Sequence, residues 1–250
     1  MNPDDIFVWM MAFLRTGGLL AMLPVFSGHG IPVTVRVALA AFLGWTISGT
    51  MHAAVVLPGN LPALVLASAH ELVIGLMMGL GVRLVFFALE MAGQIISTEI
   101  GLTMSSQIDP ISNNSPTPIG LAVNYLGVLL FILTGAHHMV FAAFLRSFEL
   151  SPPGLISFHS NAGEVFVRST GNIFLVAVQI AAPVMAINFL VTLTFAILGK
   201  AAPSMNVFSE SFAARILVGL LVLGLTFGLT AQLVLMQLRQ APELMLRLIP

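Results

Sequence analysis

The sequence predicts an all-α protein of the membrane class, on three observations: apolar residues crowd the chain, charges are scarce, and the apolar runs are long. Of 250 residues, 58% are hydrophobic and 8% are charged, where soluble domains carry about 25% charged residues. Mean hydropathy is +1.03. A soluble fold of this size lacks the polar groups to cover its own surface.

The apolar stretches run roughly over 6–26, 33–57, 61–102, 119–148, 172–198 and 212–238. Each approaches or exceeds the ~20 residues that cross a hydrocarbon core as a helix. Backbone groups in lipid must be satisfied within the protein, and these runs lack the alternation of barrel strands, so helix is the consistent reading. The first stretch follows Asp4 and Asp5, acidic where a secretory signal is basic, and is expected to be retained. The third is about twice the length of a simple span, so it must kink, fold into a hairpin or project beyond the bilayer. Turn chemistry separates the stretches at Ser27-Gly28-His29-Gly30-Ile31-Pro32, Leu57-Pro58-Gly59-Asn60-Leu61-Pro62, Ser151-Pro152-Pro153-Gly154 and Lys200-Ala201-Ala202-Pro203. With six spans, one side receives Arg146, Arg168, Arg239 and Arg247 and the other Arg36, Lys200 and Arg215. That split is too even to set an orientation.

Composition also excludes classes of function. Net charge is -1, with the cations scattered, so no basic field attracts nucleic acid. Cysteine is absent, which removes disulfides, thiolate metal sites and cysteine nucleophiles. His137-His138 lacks the Glu and the i,i+4 spacing of a zinc helix and reads as a helix exit near an interface. No nucleophile elbow, phosphate loop or dinucleotide loop stands between a strand and a helix, so enzyme function and cofactors are not expected.

Glu71, Arg83, Glu90 and Glu99 all fall in the third stretch. An ionised residue at mid-bilayer costs ~2.5–3.5 kcal/mol, so four facing lipid would cost on the order of 10 kcal/mol. They are therefore expected to face protein or water. Arg83 and Glu90 lie two turns apart, too far for an intrahelical pair, which sends their partners to other helices or other subunits. Two further readings stand beside this one: snorkelling at helix ends beyond the hydrocarbon, and a proton or ion relay. Gly75-x3-Gly79, Ala88-x3-Ala92 and Gly224-x3-Gly228 are spacings that let helix backbones approach, within the chain or against partner chains. Fourteen methionines, Met77 and Met78 among them, read first as gap-filling core.

The longest polar interruption spans 103–118 and includes Ser106, Gln107, Ile108, Asp109, Pro110, Ile111, Ser112, Asn113 and Asn114. Its prolines forbid continued helix, and such backbone survives at membrane depth only against protein or a water-filled cavity. An exposed connector is the alternative.

The order of landmarks resembles the FliR family of flagellar export-gate proteins. Arg15, Pro24, Phe26, Pro32, Arg36, Glu71-x3-Gly75-x3-Gly79, Glu90-x2-Gly93-Gln94, Gly101 and Asp109-Pro110 carry the likeness in the first half. In the second half it rests on His137-His138, Ser147-Phe148, Pro152-x-Gly154, Ala182-Pro183 and Pro203-Ser204-Met205-Asn206-Val207-Phe208. The Met205-Asn206-Val207-Phe208 run favours the flagellar over the related virulence-secretion branch. A Gly-Phe-Pro element of the family is replaced by Ser211-Phe212-Ala213, so the last helical segment is expected to begin differently.

The resemblance implies a structural and gating subunit of the type III export gate in the bacterial inner membrane at the flagellar basal body. It implies FliP-type and FliQ-type partner subunits, other export-apparatus membrane proteins, surrounding lipid, and unfolded flagellar substrates as cargo. The fold implied is a fusion of kinked helical hairpins, FliP-like over about 1–200 and FliQ-like over about 165–250. The 103–118 loop is implied to help plug the closed channel. A secondary transporter for a small solute is the competing class, in which the intramembrane carboxylates mark a midplane site.

Overall fold

In the computed structural model, the described residues are 3–27, 31–50, 58–103, 117–154, 162–202, 204 and 206–249. Among them the chain is helical, without strands. The helices are α1 (Pro3–Met22), α2 (Pro24–Ser27), α3 (Val33–Thr50), α4 (Leu61–Ile100), α5 (Pro118–Leu133), α6 (Ala136–Leu150), α7 (Ala162–Ala201), α8 (Val207–Leu225) and α9 (Phe227–Arg247). Four of them, α1, α3, α4 and α7, are long and apolar enough to cross a membrane, and the bent pairs α5–α6 and α8–α9 raise the total to six.

The third apolar stretch is one continuous helix of 40 residues, about 60 Å at ~1.5 Å per residue, and not a hairpin. Its end is set by Gly101, whose φ of 91° suits a residue without a Cβ. Gly101 N–H donates to Thr98 O at 3.0 Å and Leu102 N–H to Ser97 O at 2.9 Å, the paired bonds of a Schellman stop. The fourth stretch breaks at Thr134-Gly135, where Gly135 has φ 69° and the helices on either side bend by 70°. His137 and His138 consequently lie in the first turn of α6, so they mark a helix start and not the exit read from sequence. The sixth stretch breaks at Thr226 with a 56° bend. α8 opens at Asn206, whose Oδ1 accepts from Ser209 N–H at 3.4 Å, so Ser211-Phe212-Ala213 lies inside the helix.

The chain divides into two compact units. The first comprises Met1–Val85, Phe131–Thr170 and Gln237–Pro250. Its helices α1 and α3 form an antiparallel hairpin: the Cβ that Gly44 lacks would sit 2.9 Å from Phe13 N. Phe7, Met11 and Ala67 build a shared apolar cluster between α1 and α4. Gly81 on α4 lies against Met245 and Leu248. The second unit comprises Phe86–Leu130 and Gly171–Met236. There α4 and α5 meet backbone to backbone at Gly93 and Gly120, and Gly219 on α8 accommodates Ile100. Phe212 packs on Gly101, where a Cβ would meet its ring at 2.7 Å.

Candidate functional site

Arg15 stands in the middle of apolar α1 and Glu71 in apolar α4, and both side chains are fully buried at 0% exposure. Burying either charge alone would be prohibitive, so the pair exists only because every strong group in it is matched. Arg15 Nε donates to Glu71 Oε2 at 2.6 Å. Its Nη1 donates to Ser147 O at 3.1 Å and Ser147 Oγ at 3.2 Å, and its Nη2 donates to Ser151 O at 2.9 Å. Glu71 Oε1 accepts from Gly154 N–H at 3.3 Å. The guanidinium carbon lies 4.2 Å from the centre of the Phe148 ring, so the flat face of the cation rests on aromatic charge.

Local sequence explains how these groups meet. Gly75, one turn after Glu71, is in backbone contact with the carbonyl of Arg15, a space no side chain could share. Gly18 returns the contact: its absent Cβ would lie 2.7 Å from Leu72 O. Gly79 does the same one turn on, against Leu19 O at 2.7 Å. Three glycines therefore bring α1 and α4 close enough for a 2.6 Å ion pair. The third component is the end of α6. Ser147 and Ser151 present carbonyls at the end of that helix; Ser147 O also accepts from Ser151 N–H at 2.9 Å, and the cation sits where the helix dipole is negative. Gly154, with φ 86°, turns the Ser151-Pro152-Pro153-Gly154 segment so that its N–H faces Glu71.

This arrangement joins three chain segments by buried hydrogen bonds. Its chemistry is mechanical: it fixes the α1–α4 crossing and the chain's exit from α6. Arg15 was legible in sequence only as a family landmark. A lone cation inside an apolar span, which requires a carboxylate elsewhere, is the signal that could have found it.

The remaining expected residues are not brought into this node. Arg83 and Glu99 are half-buried and Glu90 is exposed. Neither Glu90 nor Glu99 forms an ion pair among the described residues. Gly224 and Gly228 have nothing within 4 Å of where a Cβ would stand, in contrast to Gly75 and Gly79. The candidate plug residues Ser106 to Asn114 lie outside the described residues.

The profile of the family described as bacterial export proteins, family 1, matches residues 6–241. The chain belongs to this family. Among its relatives in the export-protein family is the flagellar biosynthetic protein FliR of Caulobacter vibrioides, 27% identical over 90% of each chain. The flagellar biosynthetic protein FliR of Escherichia coli K12 is 25% identical over 91% of this chain and 86% of its own. The Yop proteins translocation protein T of Yersinia pestis is 30% identical over a shorter region, 58% of this chain and 56% of its own. Matching over nearly the whole length means that α1 with Arg15, α4 with Glu71 and the turn after α6 all lie inside the family's shared extent.

Proposed function

We propose that this chain is a structural and gating subunit of the flagellar type III protein export apparatus. The observation that carries the reading is the match of residues 6–241 to the export family, with relatives named FliR aligned over nine-tenths of the chain. Physical features support an assembled component. Apolar side chains on α7 such as Phe189 and Ile197 are 66% and 63% exposed, and no described residue covers them. Glu90 stands on the exposed side of an apolar helix, where bare lipid would be costly. Neighbouring subunits resolve both problems at once.

In this proposal the chain resides in the bacterial inner membrane at the flagellar basal body, beside FliP-type and FliQ-type subunits and other membrane proteins of the apparatus. It performs no catalytic step. With those partners it encloses a channel that unfolded flagellar proteins cross, and residues 106–114 contribute to closing it. A FliP-like portion over about 1–200 and a FliQ-like portion over about 165–250 are part of the same reading. The transporter alternative is not favoured, since the comparisons lead to export proteins.

Purification of the tagged full chain, co-expressed with its FliP-type and FliQ-type neighbours, tests the proposal. The expected product is one complex whose mass requires several copies of both neighbours. A stable, compact monomer or dimer of this chain, eluting apart from them, would overturn it.

A further inference from the structure

The α1–α3 hairpin holds a second feature, unrelated to the ion-pair node. Near its closed end a hollow of roughly 130 Å³ is lined by Gly17, Leu20 and Ala21 from α1 and by Val33, Val37 and Ala40 from α3. Arg36 is its one charged lining residue. The Arg36 Nε is buried and without a hydrogen-bond partner, and no described carboxylate pairs with the guanidinium. The acids of this hairpin, Asp4 and Asp5, lie at the opposite end of α1, roughly 25 Å away at ~1.5 Å per residue. A half-buried cation whose Nε is sealed from water, with no counter-charge among the described residues, suits an anion from outside the chain.

The character of the hollow selects the anion. It is open to the exterior: Val33 and Val37 are exposed, and nothing lies within 4 Å of the Cβ position of Gly17. It runs into the uncovered apolar face of α3, which carries exposed Val35, Phe42 and Trp45, and only 17% of this span-length helix is buried. Arg36 lies in the first turn of α3, the level at which a spanning helix leaves the hydrocarbon and meets phosphate. A hollow of roughly 130 Å³ is well above the ~10–15 Å³ that a single water needs, so a short run of methylenes fits beside the cation.

We propose that this hollow binds one anionic phospholipid, its phosphate on Arg36 and the upper part of an acyl chain against Gly17, Leu20 and Val37. The site stands on the membrane reading of α1 and α3 and is independent of which substrates the apparatus exports. A bound lipid here seals the closed end of the hairpin against water and completes the coordination of Arg36.

Native mass spectrometry of the full chain in its detergent-purified complex tests this, with phosphatidylglycerol and phosphatidylcholine of identical acyl chains as probes. Phosphatidylglycerol is expected to be retained about tenfold more tightly than phosphatidylcholine, as one charge-assisted phosphate contact implies. Arg36→Gln should remove that preference and one tightly held phosphatidylglycerol per copy of the chain. Gly17→Leu, which fills the groove and leaves the cation in place, should weaken phosphatidylglycerol retention as well. Arg168→Gln, at an exposed ion pair, should change neither. Equal retention of the two lipids by the unaltered chain overturns the proposal, as does an undiminished preference in Arg36→Gln. Full displacement by millimolar glycerol phosphate would reduce the site to a phosphate pocket without a lipid. Loss of neighbouring subunits from Arg36→Gln with lipid retention intact would assign the cation to a partner's carboxylate instead.

Discussion

Replacing Glu71 with alanine tests whether the buried node holds α1, α4 and the end of α6 together. The substitution orphans two donors, Arg15 Nε–H and Gly154 N–H, and leaves a guanidinium at 0% exposure without a counter-ion. Each orphaned donor costs ~1–3 kcal/mol, and breaking one side of a buried pair costs ~3–5 kcal/mol in all. For a chain of this size ~1 kcal/mol shifts the melting temperature by about 2–4 °C, so Glu71→Ala should lower it by roughly 6–20 °C. The double replacement Arg15→Met with Glu71→Leu removes both charges and fills the space with apolar atoms. Ser147 O keeps its bond from Ser151 N–H and Ser147 Oγ its donation to Phe144 O, while Ser151 O loses its donor and the part-buried Gly154 N–H its acceptor. The double variant leaves no uncompensated buried charge and should therefore lose less than either single change. Thermal unfolding of the detergent-solubilised complex reads the unaltered chain, Arg15→Met, Glu71→Leu and the double variant, and this double-mutant cycle isolates the coupling. A shift under ~2 °C for Glu71→Ala, or simple addition of the two single effects, would show that the pair does not brace the crossing.

Gly75→Ala should destabilise the chain by ~1–3 kcal/mol, because its methyl would occupy the position of the Arg15 carbonyl, whereas Gly17→Ala, in open space, should not; melting temperatures distinguish them. Gly224→Ala and Gly228→Ala should leave the isolated chain unchanged or up to ~1 kcal/mol more stable, since Ala favours helix, and yet reduce the yield of assembled complex. Equal yields from wild-type and variant chains would remove these two glycines from any intersubunit contact. Deleting residues 107–116 should leave assembly intact and make membranes leaky to small ions, measured by dye release or growth under ionic stress. An assembled deletion complex with unchanged permeability would count against a plugging role.

The helices were legible in the sequence because each apolar run is too long and too unbroken for any other backbone in lipid. Their interruptions were legible where proline stands, as at Pro32, Pro152-Pro153 and Pro203. The bends at Gly135 and Thr226 escaped, since a single glycine or threonine in an apolar run is common in membrane helices and carries no signal of its own. Glu71 was recognised as needing protein or water around it, but its partner lies 56 residues upstream, and helical periodicity does not say which distant face a carboxylate meets. Gly75 and Gly224 are alike in spacing pattern, x3 from a second glycine, yet one touches a backbone and the other touches nothing. Spacing reports that a close approach is permitted; only the surrounding chain decides whether it is used.

The wide sequence separations within the node impose a timetable on biogenesis. Arg15 is synthesised 56 residues before Glu71 and 132 before Ser147. At ~5–20 residues per second, the wait is roughly 3–11 s for the carboxylate and about 7–26 s for the serine. Throughout that interval a lone guanidinium in the first hydrophobic segment resists partition into lipid by ~2.5–3.5 kcal/mol. Insertion of the first segment therefore costs least once α4 has emerged and the two helices can enter the bilayer as a neutralised pair.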